Sequence, residues 1–255
     1  MSLLRTETVS KRFGGVDAVG GLSISIEAGR ITGLIGPNGA GKTTMVNLIT
    51  GLLQATSGRI LLRDEDITAL PANEVARRGV ARTFQNIRLL KEASVVDNLV
   101  VGYHIRETSN LLDNLLGLPA ARRERQLFAG KAQELITRFR MERYQEHLAG
   151  SLSYGHQRRV EIMRALAMGP SLLLLDEPVA GMNDVEANEL GVIFRDLAAD
   201  GMALLLIEHN MRFVMSHCEQ IYVVNAGRLI ASGPPEVVSN DPSVISAYLG
   251  EAISA

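Results

Sequence analysis

Hydrophobic and polar positions change their rhythm twice along this chain of 255 residues. In "LSISIEAG", Leu22, Ile24 and Ile26 alternate with Ser23, Ser25 and Glu27. That period of two puts one face of a strand in a core and the other in solvent. "RITGLIG" is apolar almost throughout, as a strand covered on both faces must be. "MVNLITGL" switches to helical spacing and stops at Gly51, and "GRILLRDEDI" predicts a short strand with a polar turn. From about Thr83 to Leu166 the spacing is helical, as in "ARRERQLFAGKAQELITRFRMERYQEHL", and strand signals almost vanish. Buried-strand runs return in "SLLLLDEP" and "GMALLLIEHN", separated by the helix-like "DVEANELGVIFRDLAADG". "QIYVVNAGRLIASG" predicts two strands around an Asn-Ala-Gly turn. In "NDPSVISAYLG", Asp241 is the expected N-cap, Pro242 the first helical residue and Gly250 the stop. The pattern predicts an α/β core made of residues 1–84 and 167–255, interrupted by a helical insertion over 85–166.

Composition narrows the classes. A hydrophobic share of 46% and a charged share of 21% are ordinary for a globular protein. The formal net charge of −2 argues against a nucleic-acid partner held by a bulk positive field. Cys218 is the single cysteine, which excludes an internal disulfide framework and points to a reducing compartment. No apolar run reaches the ~18 residues of a membrane span, so any work at a membrane needs other chains to hold this one there.

The chemistry sits where the rhythm breaks. "GPNGAGKT", Gly36 to Thr43, fits the G-x-x-x-x-G-K-[ST] phosphate loop without a mismatch, between a buried strand and a helix. Gly36, Gly39 and Gly41 let successive N–H groups turn inward, with Pro37, Asn38, Ala40 and Thr44 completing the cradle. Lys42 can reach the β- and γ-phosphates, and the Thr43 hydroxyl is placed to ligate Mg²⁺. A nucleoside triphosphate is the expected ligand. "LLLLDEP" supplies a strand ending in Asp176, a candidate for holding magnesium through water. Glu177 follows directly, and two adjacent carboxylates repel unless a cation or a proton is close. A metal at Asp176 and an attacking water at Glu177 would resolve that conflict. No N-K-x-D guanine-reading motif occurs.

Phe13 in "VSKRFGG", Gln85 in "RTFQNIRL", the segment "LSYGHQ" and His209 in "LLLIEHN" occur in an order that resembles the ATP-binding subunits of ABC transporters. The resemblance covers essentially the whole chain. It implies a RecA-like mixed sheet flanked by helices, an N-terminal antiparallel β-subdomain and an α-helical subdomain carrying the signature segment. It implies that Phe13 stacks on adenine, that Gln85 contacts magnesium and water, and that His209 touches the γ-phosphate. "LSYGHQRRVEI" resembles the signature usually written LSGGQ, in which Ser153 and Gly155 would complete the site of a second, facing subunit. Alone, the stretch is also an ordinary helix N-cap by Ser153. Tyr154 replaces the motif's first glycine, His156 stands where Gln or Glu is commoner, and Asn183 in "VAGMND", for which the resemblance implies a nucleotide contact, stands where many relatives have Asp. His156 would add pH dependence to closure if it lies near the phosphates.

Further stretches, among them "EPVAGMND" and the ending "VISAYLGE", resemble the LivG-type subunit of high-affinity branched-chain amino-acid importers. Urea and amide importer ATPases, lipopolysaccharide exporter ATPases and a non-transport regulatory ABC protein are the alternatives. The importer resemblance implies ATP and Mg²⁺ as ligands and a place on the cytoplasmic face of the bacterial inner membrane. Its partners would be two transmembrane permease subunits, a second ABC ATPase subunit and, indirectly, a solute-binding protein.

Overall fold

The computed structural model describes residues 2–103 and 119–252. They form two compact units. The first comprises Met1–Arg82, Ser171–Pro178 and Phe194–Ala255; the second comprises Thr83–Pro170 and Val179–Ile193.

The first unit holds two sheets. In one, β1 (Ser2–Phe13) pairs antiparallel with β2 (Val16–Leu22), β3 (Ser25–Glu27) and β5 (Ser57–Leu62). The alternation from Leu22 to Glu27 is present in burial but is divided between β2 and β3. Thr6 explains the break. Its Oγ1 donates to Leu22 O at 3.1 Å and accepts from Ile24 N at 3.0 Å, so a side chain takes over the ladder there. After β5, Arg63 and Asp64 both have positive φ, 51° and 66°, which turns the chain tightly into β6 (Glu65–Asp66).

The second sheet orders its strands β11-β10-β4-β9-β8-β7. Here β4 is Ile31–Ile35, β7 Val80–Arg82, β8 Leu172–Asp176, β9 Ala203–Ile207, β10 Gln220–Asn225 and β11 Arg228–Gly233. All neighbours are parallel except β10 and β11, the predicted hairpin. Every residue of β4, β8 and β9 is buried, which is why their sequences are apolar without alternation. Leu4, Val9 and Ile60 from the first sheet share one core with Leu34, Leu174 and Leu205 from the second. Truncating any one of these leucines to alanine would cost about 2–5 kcal/mol.

Helices α1 (Lys42–Ile49) and α2 (Ala72–Arg77) also belong to this unit. Gly51, with φ of 70°, ends the first as its sequence predicts. Cys218 is buried, and burial first, then the carboxylates of Glu219 and Glu208, pushes its thiol up to about 12.

The second unit is helical: α3 (Val95–Tyr103), α4 (Pro119–Arg138), α5 (Tyr154–Ala167) and the first part of α6 (Asp184–Ala199). A Cβ on Gly102 would lie 2.5 Å from Arg164 O, so glycine is what lets α3 close against α5. Arg159 Nη2 donates to Glu189 Oε2 at 2.6 Å, tying α5 to α6. The unit's second piece, Val179–Ile193, lies outside the expected insertion over 85–166.

The chain ends in α7 (Met211–His217), α8 (Pro235–Val238) and α9 (Pro242–Ala252), all in the first unit. Asp241 Oδ1 accepts from Ser243 N at 2.8 Å, as an N-cap does. Gly250 does not end α9, which continues to Ala252. A single glycine costs a helix only about 1 kcal/mol relative to alanine, too little to stop one by itself.

Candidate functional site

In the first unit the candidate residues gather where parallel strands end. The loop Gly36–Gly41 follows β4, Glu177 follows β8, and Glu208 and His209 follow β9. The order β4-β9-β8-β7 makes these ends neighbours, the edge at which open α/β sheets bind ligands.

The glycines of the loop are fixed by close approach. A Cβ on Gly36 would meet Val224 O at 2.0 Å, and one on Gly41 would meet Ala18 O at 2.4 Å. Gly39 has φ of 75° and nothing within 4 Å of its missing Cβ, so its backbone faces open space. Gly41 N-caps α1, and no side chain caps that helix's first turn. Backbone donors at a helix start without a side-chain cap form an anion site. Lys42 Nζ bends over the loop and donates to Gly36 O at 2.6 Å and Pro37 O at 2.8 Å. The exposed Thr43 and the half-buried Thr44 follow on α1, while Asn38 is exposed and Ala40 buried. This cradle fits a phosphate chain.

Asp176 and Glu177 separate in the fold. Asp176 is buried, and its Oδ2 accepts from Arg82 Nη2 at 2.7 Å. Arg82 also donates from Nη1 to Asn47 Oδ1 at 2.5 Å, which anchors it to α1. A cation beside the adjacent carboxylates is therefore supplied by the chain itself, at a residue that sequence reasoning missed. Pairing it with Asp176 requires knowing that β7 lies beside β8. Glu177 has φ of 48°, a left-handed conformation that disfavours non-glycine residues, and Glu177 N donates to Ile207 O at 2.8 Å. Its Oε1 lies 3.7 Å from Nδ1 of the exposed His209. Glu208, also missed, is buried beside them, and its Oε2 accepts from His209 N at 3.1 Å and Asn210 N at 3.3 Å. That carboxylate fixes the backbone presenting His209.

Phe13 ends β1, is 48% exposed, and has Lys11 Nζ at 5.1 Å from its ring centroid. Its hairpin partner β2 supplies the Ala18 carbonyl that crowds Gly41, which ties this aromatic to the phosphate loop.

The other candidates lie in the second unit. Ser153 N-caps α5, accepting from His156 N at 3.4 Å, and its Oγ is 2.9 Å from His156 Nδ1. The His156 ring packs on Tyr144 with centroids 4.3 Å apart. Burial first, then Arg159 and Arg143, lowers the imidazole's pKa against opposition from Glu186 and Glu189. Gly155 has no positive φ, and its missing Cβ would find Glu186 Oε1 at 3.6 Å and Met182 Cγ at 3.7 Å, ordinary contacts. Asn183 Oδ1 accepts from Val185 N and Glu186 N at 3.0 Å each, while Glu186 Oε2 accepts from Asn183 N at 3.1 Å. Asn183 is thus half of a capping box that starts α6. The Gln85 side chain is exposed.

A phosphate loop at the strand ends of a largely parallel sheet, with an acidic strand terminus beside it, defines a P-loop nucleotide-binding ATPase core. Residues 19–180 match the ABC transporter family, and residues 228–253 match the branched-chain amino acid ATP-binding cassette transporter family. The chain belongs to the ABC transporter family. It is 42% identical over 251 residues to the high-affinity branched-chain amino acid transport ATP-binding protein BraF of Pseudomonas aeruginosa, covering 98% of each chain. It is 43% identical to LivG of Escherichia coli K12, which carries the same description, with the same coverage. The lipopolysaccharide export system ATP-binding protein LptB of Haemophilus influenzae is 38% identical, again over 98% of each chain. The ADP conformation of MJ1267, an ATP-binding cassette of an ABC transporter, superposes with a TM-score of 0.86 at 36% identity, covering 98% of this chain and 99% of that one. Among the described residues no helix is long and apolar enough to cross a membrane.

Proposed function

We propose that this chain is the ATP-hydrolysing subunit of an importer of branched-chain amino acids, working beneath two transmembrane permease subunits. The observation that carries this reading is the phosphate loop together with the C-terminal family match over residues 228–253. In this reading the chain pairs with a second ATPase subunit at the cytoplasmic face of the inner membrane, and a solute-binding protein delivers the cargo.

The loop N–H groups and Lys42 bind the β- and γ-phosphates of ATP, and Phe13 stacks on adenine, worth on the order of 1–3 kcal/mol. Thr43, Asp176 and Gln85 would hold Mg²⁺, whose chemistry when bound is to neutralise charge on the phosphate oxygens. Glu177 orients the attacking water and accepts its proton as the water oxygen bonds to the γ-phosphorus and the bond to the leaving ADP oxygen breaks. His209, held by the Glu208 carboxylate, donates toward the γ-phosphate. Ser153 and the α5 N-terminus of the facing subunit complete the shell. Gly155 supports that facing role: nothing around it in this chain requires a glycine, whereas a phosphate pressed against the backbone would.

Deleting the gene and measuring uptake of labelled leucine tests the substrate. Loss of leucine uptake, restored by the wild-type gene and not by Glu177→Gln, supports the importer reading. Intact leucine uptake with failed urea uptake or failed lipopolysaccharide export would replace it with one of the alternatives. The 38% identity to LptB makes the last arm necessary.

A further inference from the structure

Tyr154 is unaccounted for by the shared-site reading, since the related motif has glycine there. The residue is 46% exposed, but its hydroxyl reaches a buried ion pair of the second unit. The Arg158 side chain is 0% exposed. Its Nη2 donates to Tyr154 Oη at 3.1 Å and to Gln85 O at 2.7 Å. Its Nη1 donates to Phe84 O at 2.5 Å and to Glu161 Oε2 at 2.6 Å. Glu161 Oε1 in turn accepts from Phe84 N at 3.4 Å. The backbone just before and at Gln85 is therefore gripped on both its donor and acceptor sides by an ion pair that belongs to α5. Charge-assisted bonds of this kind are short and directional, and a guanidinium holds its acceptors in the fixed planar fork that a single-nitrogen ammonium lacks.

Tyr154 is the outer end of that grip. Its hydroxyl reaches the guanidinium, and the guanidinium carbon lies 5.7 Å from its ring centroid. The other face of the story is Gly181, whose φ is 73° and whose missing Cβ would lie 3.2 Å from Tyr154 Cδ1 and 3.4 Å from Cε1. Gly181 leaves room for the tyrosine ring beside the Asn183 turn.

We propose that Tyr154 is a positioning residue that couples the signature segment to the Gln85 backbone through Arg158, while its ring seats the turn at Gly181. The first residue of α5, the Gln85 loop and the turn leading into α6 are then held as one body. Because Ser153 and Gly155 flank Tyr154, a displacement at Gln85 is passed to the groups that would meet the facing nucleotide. The inference rests on the assignment of Gln85 and Ser153 to a shared site.

The test compares Tyr154→Phe, which removes only the hydroxyl, with Arg158→Lys, which keeps the charge and loses the fork. Two readouts are needed in the full-length protein: hydrogen–deuterium exchange of the peptide covering 83–87, and the kcat and KM of ATP hydrolysis. Tyr154→Phe is expected to raise exchange at 83–87 about threefold to tenfold, the net share of one ordinary hydrogen bond at a partly exposed residue. It should lower kcat by a similar factor with KM for ATP unchanged and thermal stability close to wild type. Unchanged exchange at 83–87 in both variants overturns the coupling. Faster exchange with wild-type kcat overturns the positioning role. Ser153→Ala and Gln85→Ala serve as controls: if both keep full turnover, the shared-site assignment fails, and exchange alone decides whether the tether exists.

Discussion

Arg82 Nη2 lies 2.7 Å from Asp176 Oδ2, with the two side chains only 8% and 9% exposed. This pair joins the last residue of β7 to the last residue of β8, and Asn47 of α1 holds the guanidinium from the other side. The protein's own cation thereby orients the carboxylate that the proposed mechanism assigns to the metal.

Removing that cation should be costly. Arg82→Met is expected to destabilise the fold by about 3–5 kcal/mol, because it strands a buried charge on Asp176. Replacing both residues with apolar ones should cost much less, since neither partner is then left alone. Urea denaturation of the single and double variants measures the difference. Equal losses in the two would mean that the ion pair contributes nothing beyond packing.

Glu177 combines a strained backbone with the proposed role of general base. Its φ of 48° suits glycine, so Glu177→Gly should relieve about 1 kcal/mol or more of strain and raise Tm by roughly 2–4 °C. Turnover should fall about 10²–10⁴-fold in both Glu177→Gly and Glu177→Gln, with ATP binding retained. Near-normal hydrolysis in Glu177→Gln would remove the residue from its role. A lower Tm in the glycine variant would show that the carboxylate stabilises the fold.

Gly155 separates internal packing from external contact. A Cβ there meets only ordinary neighbours at 3.6 and 3.7 Å, so Gly155→Ala should leave Tm at or slightly above wild type. Loss of the proposed backbone approach to a facing phosphate should nevertheless lower turnover by on the order of tenfold or more. Wild-type turnover in this variant would mean that no ligand presses on this backbone.

His156 titrates below its ordinary value because it is partly buried and faces Arg159 and Arg143, with Glu186 and Glu189 in partial opposition. A lowered folded-state pKa gives stability that is complete above the unfolded value, about 6.5, and is lost as pH falls through the folded one. Protonation also turns Nδ1 into a donor toward Ser153 Oγ, which forces the serine hydroxyl proton to point elsewhere. Between pH 7.5 and 5 the wild type should lose more Tm than His156→Gln. Parallel pH profiles for stability and for turnover would show that the imidazole does not titrate in this window.

Much of the site was legible because its residues follow one another along the chain. The phosphate loop, the Asp176–Glu177 step and the α5 start are contiguous stretches whose spacing already encodes strand-to-helix transitions. Arg82, Glu208 and Arg158 were not legible for a shared reason. Each acts through a contact set by tertiary neighbours: β7 beside β8, the turn after β9, and the Gln85 loop beside α5. Asn183 has a second role that the resemblance does not carry: it is a capping residue whose Oδ1 receives two backbone donors. The break between β2 and β3 escaped periodicity because Thr6 preserves the inward and outward alternation while interrupting the ladder.

The burial of Cys218 makes the chain suited to labelling. Its only thiol is shielded and resists ionisation, so a maleimide reagent at neutral pH should leave the native protein unmodified. A cysteine introduced at exposed Val185, on the helix that Asn183 caps, would then be the single reactive site. In the proposed pairing with a second ATPase subunit, spin labels there would report the separation of the two cassettes without stripping any native residue.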